Sequence, residues 1–175
     1  MNLLRLALPV ILTAVVAAVA CKGGGALSLE EYFKRLEEID DRSTERSDAL
    51  QEELNLISDA TAQDQDRIDA AQSAFPEFVA VLDEFLASLD KLEPPKEVQA
   101  DHEEALDAGR EASTFFDDAA ADVAAAESLS EVDLALSVLN SPEFTAADQR
   151  FTDACVSLQK KADDNNIDVN LGCEQ

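Results

Sequence analysis

Residues 68–92 read IDAAQSAFPEFVAVLDEFLASLDKL, and this stretch decides the fold class. Its apolar side chains recur every three or four positions, at Ile68, Ala71, Phe75, Phe78, Leu82, Phe85, Leu89 and Leu92. That spacing lines one face of an α-helix, because about 3.6 residues make one turn. Pro76 lies inside the stripe and predicts either a kink about one turn before it or a helix that restarts with Pro76 in its first turn.

The preceding stretch predicts a first helix from Ser28 to about Ser58. Ser28 is the expected N-cap, and Glu31 occupies the capping-box position three residues later. Apolar residues follow the helical spacing at Leu29, Phe33, Leu36, Ile39, Leu50, Leu54 and Ile57. The middle of this helix, Asp40 to Asp48, is polar and carries its weakest helical pattern.

A third apolar stripe runs from Val98 to Val123, in a helix expected to start at Pro95. Several of its positions hold small residues, namely Ala105, Gly109, Ala112 and Ala119. We expect these small residues to admit the large side chains of the second helix, Phe75, Phe78 and Phe85.

The remaining pattern predicts a short helix near Ser130 to Leu139 and a long last helix. Ser141 is the expected N-cap of the last helix, and Pro142 fits its first position because proline lacks the backbone N–H. Four long helices with short connections predict an all-α fold for residues 28–175: an antiparallel four-helix bundle with a short extra helix.

Composition agrees with one helical domain. The chain has 175 residues, of which 46% are apolar, with no Trp and only five Gly and five Pro. That balance disfavours the many tight turns of an all-β fold. The formal net charge is −25, and such a surface repels phosphate backbones, so nucleic acid is not an expected partner. Solubility or adaptation to salty surroundings is the simplest interpretation of the acidity, and attraction of cations or a basic partner is the alternative.

The N-terminus predicts export. Arg5 precedes an apolar run of 15 residues from Leu6 to Ala20, which is shorter than the roughly 20 residues of a membrane-spanning helix. Residues 1–20 therefore fit a signal peptide. The run itself leaves two alternatives to lipid attachment: ordinary secretion with cleavage after Ala20, or an uncleaved anchor.

The residues that follow the run are Ala18-Val19-Ala20-Cys21, and they resemble the lipobox of bacterial lipoproteins. The resemblance implies cleavage before Cys21 and lipidation of its sulfur. It also implies a lipid-anchored protein on the extracytoplasmic side of the cell membrane or outer membrane. Residues 21–27, which include three consecutive glycines, then predict a flexible tether between the lipidated cysteine and the domain.

Two cysteines remain once Cys21 carries a lipid: Cys155 in the last helix and Cys173 in the tail. In an exported chain, an even remainder predicts one disulfide. This bond would fold the tail, residues 167–175, back along the last helix. A redox function would need a C-x-x-C arrangement, which the chain lacks.

Metal and catalytic motifs are absent from the sequence. A di-iron bundle site needs two Glu-x-x-His pairs, whereas the one histidine, His102, follows Gln99 at that spacing. We interpret His102 as a partly buried residue hydrogen-bonded to a neighbour. No nucleophile motif or phosphate-binding glycine loop is present. We therefore expect no metal, no cofactor and no enzyme activity.

The segment from Asp164 to Asn170 places oxygen-bearing side chains at alternate positions, as a calcium loop does. Val169 stands where the sharp turn needs glycine, and Gln175 where a bidentate Glu belongs. We interpret the segment as a helix end that unwinds through Asn residues, which tolerate the left-handed conformation.

These observations support two hypotheses of function. In the first, the protein is a non-enzymatic binding or structural lipoprotein that meets a protein partner in the envelope. In the second, the bundle sequesters a small apolar or cationic molecule between its helices. An internal cavity above about 300 Å³ would favour the second hypothesis.

Overall fold

The computed structural model describes residues 26–173, and its regular structure there is entirely helical. The five α-helices are α1 (Leu29–Ser58), α2 (Asp64–Leu89), α3 (Gln99–Ala125), α4 (Leu129–Leu136) and α5 (Pro142–Asp164), with a 3₁₀ turn at Ser137–Asn140 before α5. The all-α prediction is confirmed. The predicted signal peptide and Cys21 lie outside the described residues.

The predicted starts of the first and last helices are confirmed. The Ser28 hydroxyl accepts a hydrogen bond from the Glu31 backbone N–H at 3.3 Å, and the Glu31 carboxylate accepts one from Ser28 N–H. At the start of α5, the Ser141 hydroxyl accepts from the Phe144 N–H at 3.1 Å. Both caps satisfy backbone donors that have no partner inside the helix.

The structure excludes one of the two alternatives at Pro76 and corrects the start of the third helix. The restart alternative at Pro76 is wrong, because α2 continues through it. Buried Phe75 and Val79 hold the helix on both sides of the proline, and their packing offsets the lost hydrogen bond. The third helix starts at Gln99 and not at Pro95, because the Pro95 carbonyl accepts the Val98 N–H in a turn.

The helices pack in sequence: α1 lies along α2, α2 against α3, and α3 against α5, whereas α1 and α5 hardly meet. Apolar residues at one end of the domain form the first core cluster, which holds Tyr32, Phe33, Leu36, Leu89, Val98, Ala105, Leu106, Ala154, Leu158, Ala162, Val169 and Leu171. The second cluster, at the other end, holds Ile68, Ala71, Phe75, Val79, Ala119, Val123, Ala126, Val132 and Ala135.

A polar pair is buried in the first cluster region. His102 is buried, and its Nδ1 lies 3.0 Å from the Tyr32 hydroxyl, so the pair joins α3 to α1. Burial lowers the pKa of His102 and raises the pKa of the Tyr32 hydroxyl, since each charged form would lose its water. The interpretation of His102 as a hydrogen-bonded residue agrees with this pair, although the side chain is more buried than expected.

The C-terminal tail crosses from α5 to α1. The side-chain amide of Gln159 in α5 forms two hydrogen bonds with the tail. Its nitrogen donates to the Val169 carbonyl at 3.0 Å, and its oxygen accepts from the Leu171 N–H at 2.9 Å. The Asn170 N–H donates to the Glu37 carboxylate of α1 at 2.9 Å. The tail leaves α5 at Asn166, whose φ of 56° is the left-handed conformation expected of an unwinding helix end.

Candidate ligand-binding groove

A groove opens between α1 and α5, where the two helices fail to meet. It contains two adjoining cavities of ≈ 290 Å³ and ≈ 330 Å³. Asp40, Phe85, Asp148 and Phe151 line both cavities, so the two adjoin, and together they are called the α1/α5 groove. Each cavity is close to the lower limit of about 300 Å³ for small-molecule sites.

The smaller cavity, the tail lobe, lies beside the first core cluster. Its apolar lining comes from α1, α2, α3, α5 and the tail, through Leu36, Leu89, Ala105, Leu158 and Leu171. The larger cavity, the phenylalanine lobe, lies between the two core clusters. It is lined mainly by Phe78, Leu82, Leu86, Gly109, Ala112 and Phe116.

Aromatic rings form the floor of the groove. The Phe85 ring of α2 meets the Phe151 ring of α5 edge to face, with centroids 6.1 Å apart. In the phenylalanine lobe, the Phe78 and Phe116 rings are also edge to face, at 5.7 Å. Phe78 is only half-buried, so it lines the groove and does not fill a closed core.

Gly109 does admit large side chains, as predicted, but they are not the side chains that were expected. A Cβ atom at this position would come within 2.6 Å of the Leu86 side chain and 3.4 Å of the Phe151 ring. The expected neighbours, Phe75, Phe78 and Phe85, are not the closest side chains. Sequence spacing identified the face of α2 that meets α3, but it did not predict that α5 also reaches this glycine.

Two carboxylates line both lobes, the half-buried Asp40 on α1 and the exposed Asp148 on α5. Neither forms an ion pair with a basic side chain of residues 26–173. Burial, followed by repulsion from Asp41 and Glu37, raises the pKa of Asp40 to about 6. The groove therefore keeps a carboxylate whose charge is poorly compensated by the protein itself.

We expect Asp40→Asn to stabilise the folded domain at pH 7.5 by about 1 kcal/mol, after allowance for solvent screening. Between pH 4 and 6 the folded chain holds a proton on Asp40 that the unfolded chain releases, since the pKa falls from about 6 to 3.8 on unfolding. The charged form therefore costs stability as the pH rises through that window. The advantage of the Asn variant should shrink towards zero below pH 4, as measured by urea unfolding at a series of pH values.

Glu38→Gln is the matched control for this prediction. Glu38 lies on the same helix but is exposed, and it lines neither cavity. Its neutralisation should change the unfolding free energy by under about 0.5 kcal/mol at every pH. An Asp40→Asn variant that is less stable than the wild type at pH 7.5 would contradict the desolvated carboxylate.

The predicted disulfide residues lie at one wall of the groove. The sulfurs of Cys155 and Cys173 are 1.99 Å apart, at disulfide distance, and both residues line the tail lobe together with Leu171 and Gly172. The bond joins the tail to α5 where the tail crosses towards α1. The predicted lipidation residue, Cys21, lies outside residues 26–173.

The other residues considered from the sequence lie away from the groove. His102 is buried against Tyr32, and the segment from Asp164 to Asn170 ends α5 and begins the tail. In residues 26–173, no three His, Cys, Asp or Glu side chains are grouped closely enough to share a metal ion. Within the same range, no helix is both long and apolar enough to cross a bilayer.

Sequence reasoning did not identify Asp40 and Asp148 as groove residues. One signal was present: the polar stretch that starts at Asp40 interrupts the apolar face of α1. The structure shows why, because Ile39 is the last buried apolar side chain of α1, and the next residue, Asp40, lines both lobes. Asp148 has no such signal, since it is one of many acidic residues on exposed helix faces.

Comparisons with family models, curated proteins and solved structures each found no match for this chain.

Proposed function

We propose that this chain is a lipid-anchored lipoprotein on the extracytoplasmic side of the cell envelope, where it binds a small molecule in the α1/α5 groove without catalysing a reaction. The observation that carries the binding part is the groove itself, an apolar space that the protein's own side chains leave unfilled. The anchor rests on residues 18–21 and their resemblance to a lipobox.

The size of the groove favours a small ligand over a protein partner. The phenylalanine lobe measures ≈ 330 Å³, about the lower limit for small-molecule sites, but it is open to solvent and is not the internal cavity named for the sequestering hypothesis. Its apolar lining is therefore in contact with water. A ligand with an apolar body would remove that surface from water.

The architecture that we propose for this function is an antiparallel four-helix bundle left open on one side. Leu36 near the start of α1 shares a core cluster with Leu89 at the end of α2, and Ile57 near the end of α1 packs against the cluster of Ile68 near the start of α2. This arrangement supports antiparallel neighbours. The open side, between the first and last long helices, gives a ligand its route into the core.

Binding of N-phenyl-1-naphthylamine, an uncharged apolar fluorophore, tests the groove. We expect the chain without residues 1–21 to enhance its fluorescence saturably, with one site per molecule. Thr152→Trp should abolish most of this enhancement, because Thr152 lines the tail lobe and a tryptophan there would occupy the space.

Thr145→Trp is the matched control, since Thr145 lies on the same helix but is exposed and lines neither lobe. It should bind the fluorophore like the wild type. Circular dichroism would establish that both tryptophan variants remain helical. Equal binding by the wild type and a folded Thr152→Trp variant would exclude the tail lobe as the binding site.

A further inference from the structure

The charged side chains that line the α1/α5 groove are all acidic. The side chains that line its two lobes include Asp40 and Asp148 but no Lys, Arg or His. An anionic ligand would therefore enter an apolar space without a counter-charge, and it would also meet two carboxylates at the walls. A neutral ligand would leave both carboxylates without a partner. A cation would compensate them.

The two carboxylates lie close to aromatic rings, and this arrangement favours an organic cation over an inorganic one. Asp40 and Asp148 each line both lobes, as do Phe85 and Phe151, so charge and aromatic rings meet where the lobes join. The face of an aromatic ring carries partial negative charge and attracts organic ammonium groups. Strongly hydrated inorganic cations instead require several oxygen ligands, and the lobes beyond this junction are lined by leucine, phenylalanine and alanine.

The cost of Asp40 in the free protein supports the same conclusion. Its carboxylate is half-buried and has no basic partner among residues 26–173, so its charged form is held in an unfavourable environment. A ligand with a positive charge beside it would relieve this cost on binding. A purely structural groove would gain more from an asparagine or an apolar residue at this position.

We propose that the ligand of the groove is a hydrophobic organic cation, whose apolar body fills a lobe and whose positive charge lies between Asp40 and Asp148. This inference rests on the proposed binding function and adds the chemical class of the ligand. An aromatic or aliphatic ammonium of about the size of one lobe fits both the volume and the charge of the site.

Three probes of equal shape and different charge test the inference: 2-naphthylmethyltrimethylammonium, 2-naphthylmethanol and 2-naphthoate. The full chain is reconstituted in discs of zwitterionic lipid, and binding is followed by calorimetry up to millimolar probe, with the heat of empty discs subtracted. We expect the cation to bind at least about tenfold more tightly than the alcohol, and the anion to show no binding, as charge complementarity at a partly desolvated site predicts.

Asp40→Asn and Asp148→Asn separate the charge from the shape of the groove. Each should weaken binding of the cation by about five- to tenfold and leave binding of the alcohol unchanged, because the amide keeps the size of the carboxylate and removes its charge. Glu38→Gln removes one charge from the exposed face of α1 and should bind all three probes like the wild type. Helical circular dichroism of each variant establishes that folding is retained.

The outcomes distinguish this inference from the proposed function on which it rests. Equal affinities for the cation and the alcohol, or unchanged affinity for the cation in both Asn variants, would overturn the cationic ligand and leave an apolar binding groove in place. A uniform loss in Asp40→Asn, Asp148→Asn and Glu38→Gln would also overturn it, because net charge and not the groove would then attract the cation. Failure of all three probes to bind would overturn both proposals.

Discussion

The Cys21→Ala variant is expected to be almost entirely absent from the membrane fraction once its residues 1–20 have been cleaved off. Each methylene of a buried acyl chain contributes about 0.8 kcal/mol to membrane binding, and two chains suffice for stable anchoring. Without them, the cleaved chain, which has lost Arg5 and is one unit more negative than the −25 of the full chain, is repelled by anionic headgroups. Fractionation followed by intact mass of each fraction measures both location and cleavage.

Cys173→Ala is the matched control, since it also replaces one cysteine by alanine but leaves Cys21 in place. It should remain in the membrane fraction and carry the mass of the lipid. Intact mass matters because an uncleaved apolar segment could hold the Cys21→Ala chain at the membrane by itself. Cleaved, unlipidated Cys21→Ala protein that still sediments with membranes would exclude the lipid as the anchor.

Phe33→Ala is expected to cost about 3–5 kcal/mol of unfolding free energy, the range for removal of a buried phenylalanine ring. Phe33 is 0% exposed, and its ring meets that of Tyr32 at 5.3 Å in the first core cluster. Helices on several sides enclose this cluster, so the cavity left by the ring can collapse only in part. Such a loss takes a large share of the 5–15 kcal/mol typical of a domain. Urea unfolding of the chain without residues 1–21 measures it.

Phe78→Ala provides the comparison on α2, because Phe78 is half-buried and faces the groove. Its removal enlarges a space that already opens to solvent, so we expect well under half the cost of Phe33→Ala. Equal unfolding curves for the wild type and Phe33→Ala would contradict the closed first cluster. A larger cost at Phe78 than at Phe33 would instead place the closed core at the middle of the domain.

The helix starts could be predicted from the sequence because their causes are local. The side chains of Ser28 and Ser141 satisfy backbone donors within one turn, and Pro142 has no backbone N–H that needs a partner. The residues that determine each helix start are therefore neighbours in the sequence. The disulfide distance between Cys155 and Cys173 agrees with the pairing predicted from the cysteine count. In each case the relevant partners are few and close in sequence.

The groove could not be predicted, because it depends on which helices fail to pack. The apolar stripe of α2 is wide enough to serve several neighbours, and the sequence does not specify that Phe75 is buried while Phe78 faces an open space. The contact of Asn170 with Glu37 joins residues 133 positions apart. No local pattern encodes a contact of that separation, and the tail that it attaches to α1 contributes Leu171 and Gly172 to the tail lobe.

The bond between Cys155 and Cys173 also bears on when the proposed binding site would form. A reducing cytosol keeps thiols unpaired, and the tail there would be held by side chains such as Gln159 and Glu37 alone. Closing a loop of 18 residues restricts the free chain by about 3 kcal/mol, which favours the tail in its place beside the tail lobe. If the chain is exported as we propose, the tail lobe would reach its most stable form only in the oxidising compartment outside the cytosol.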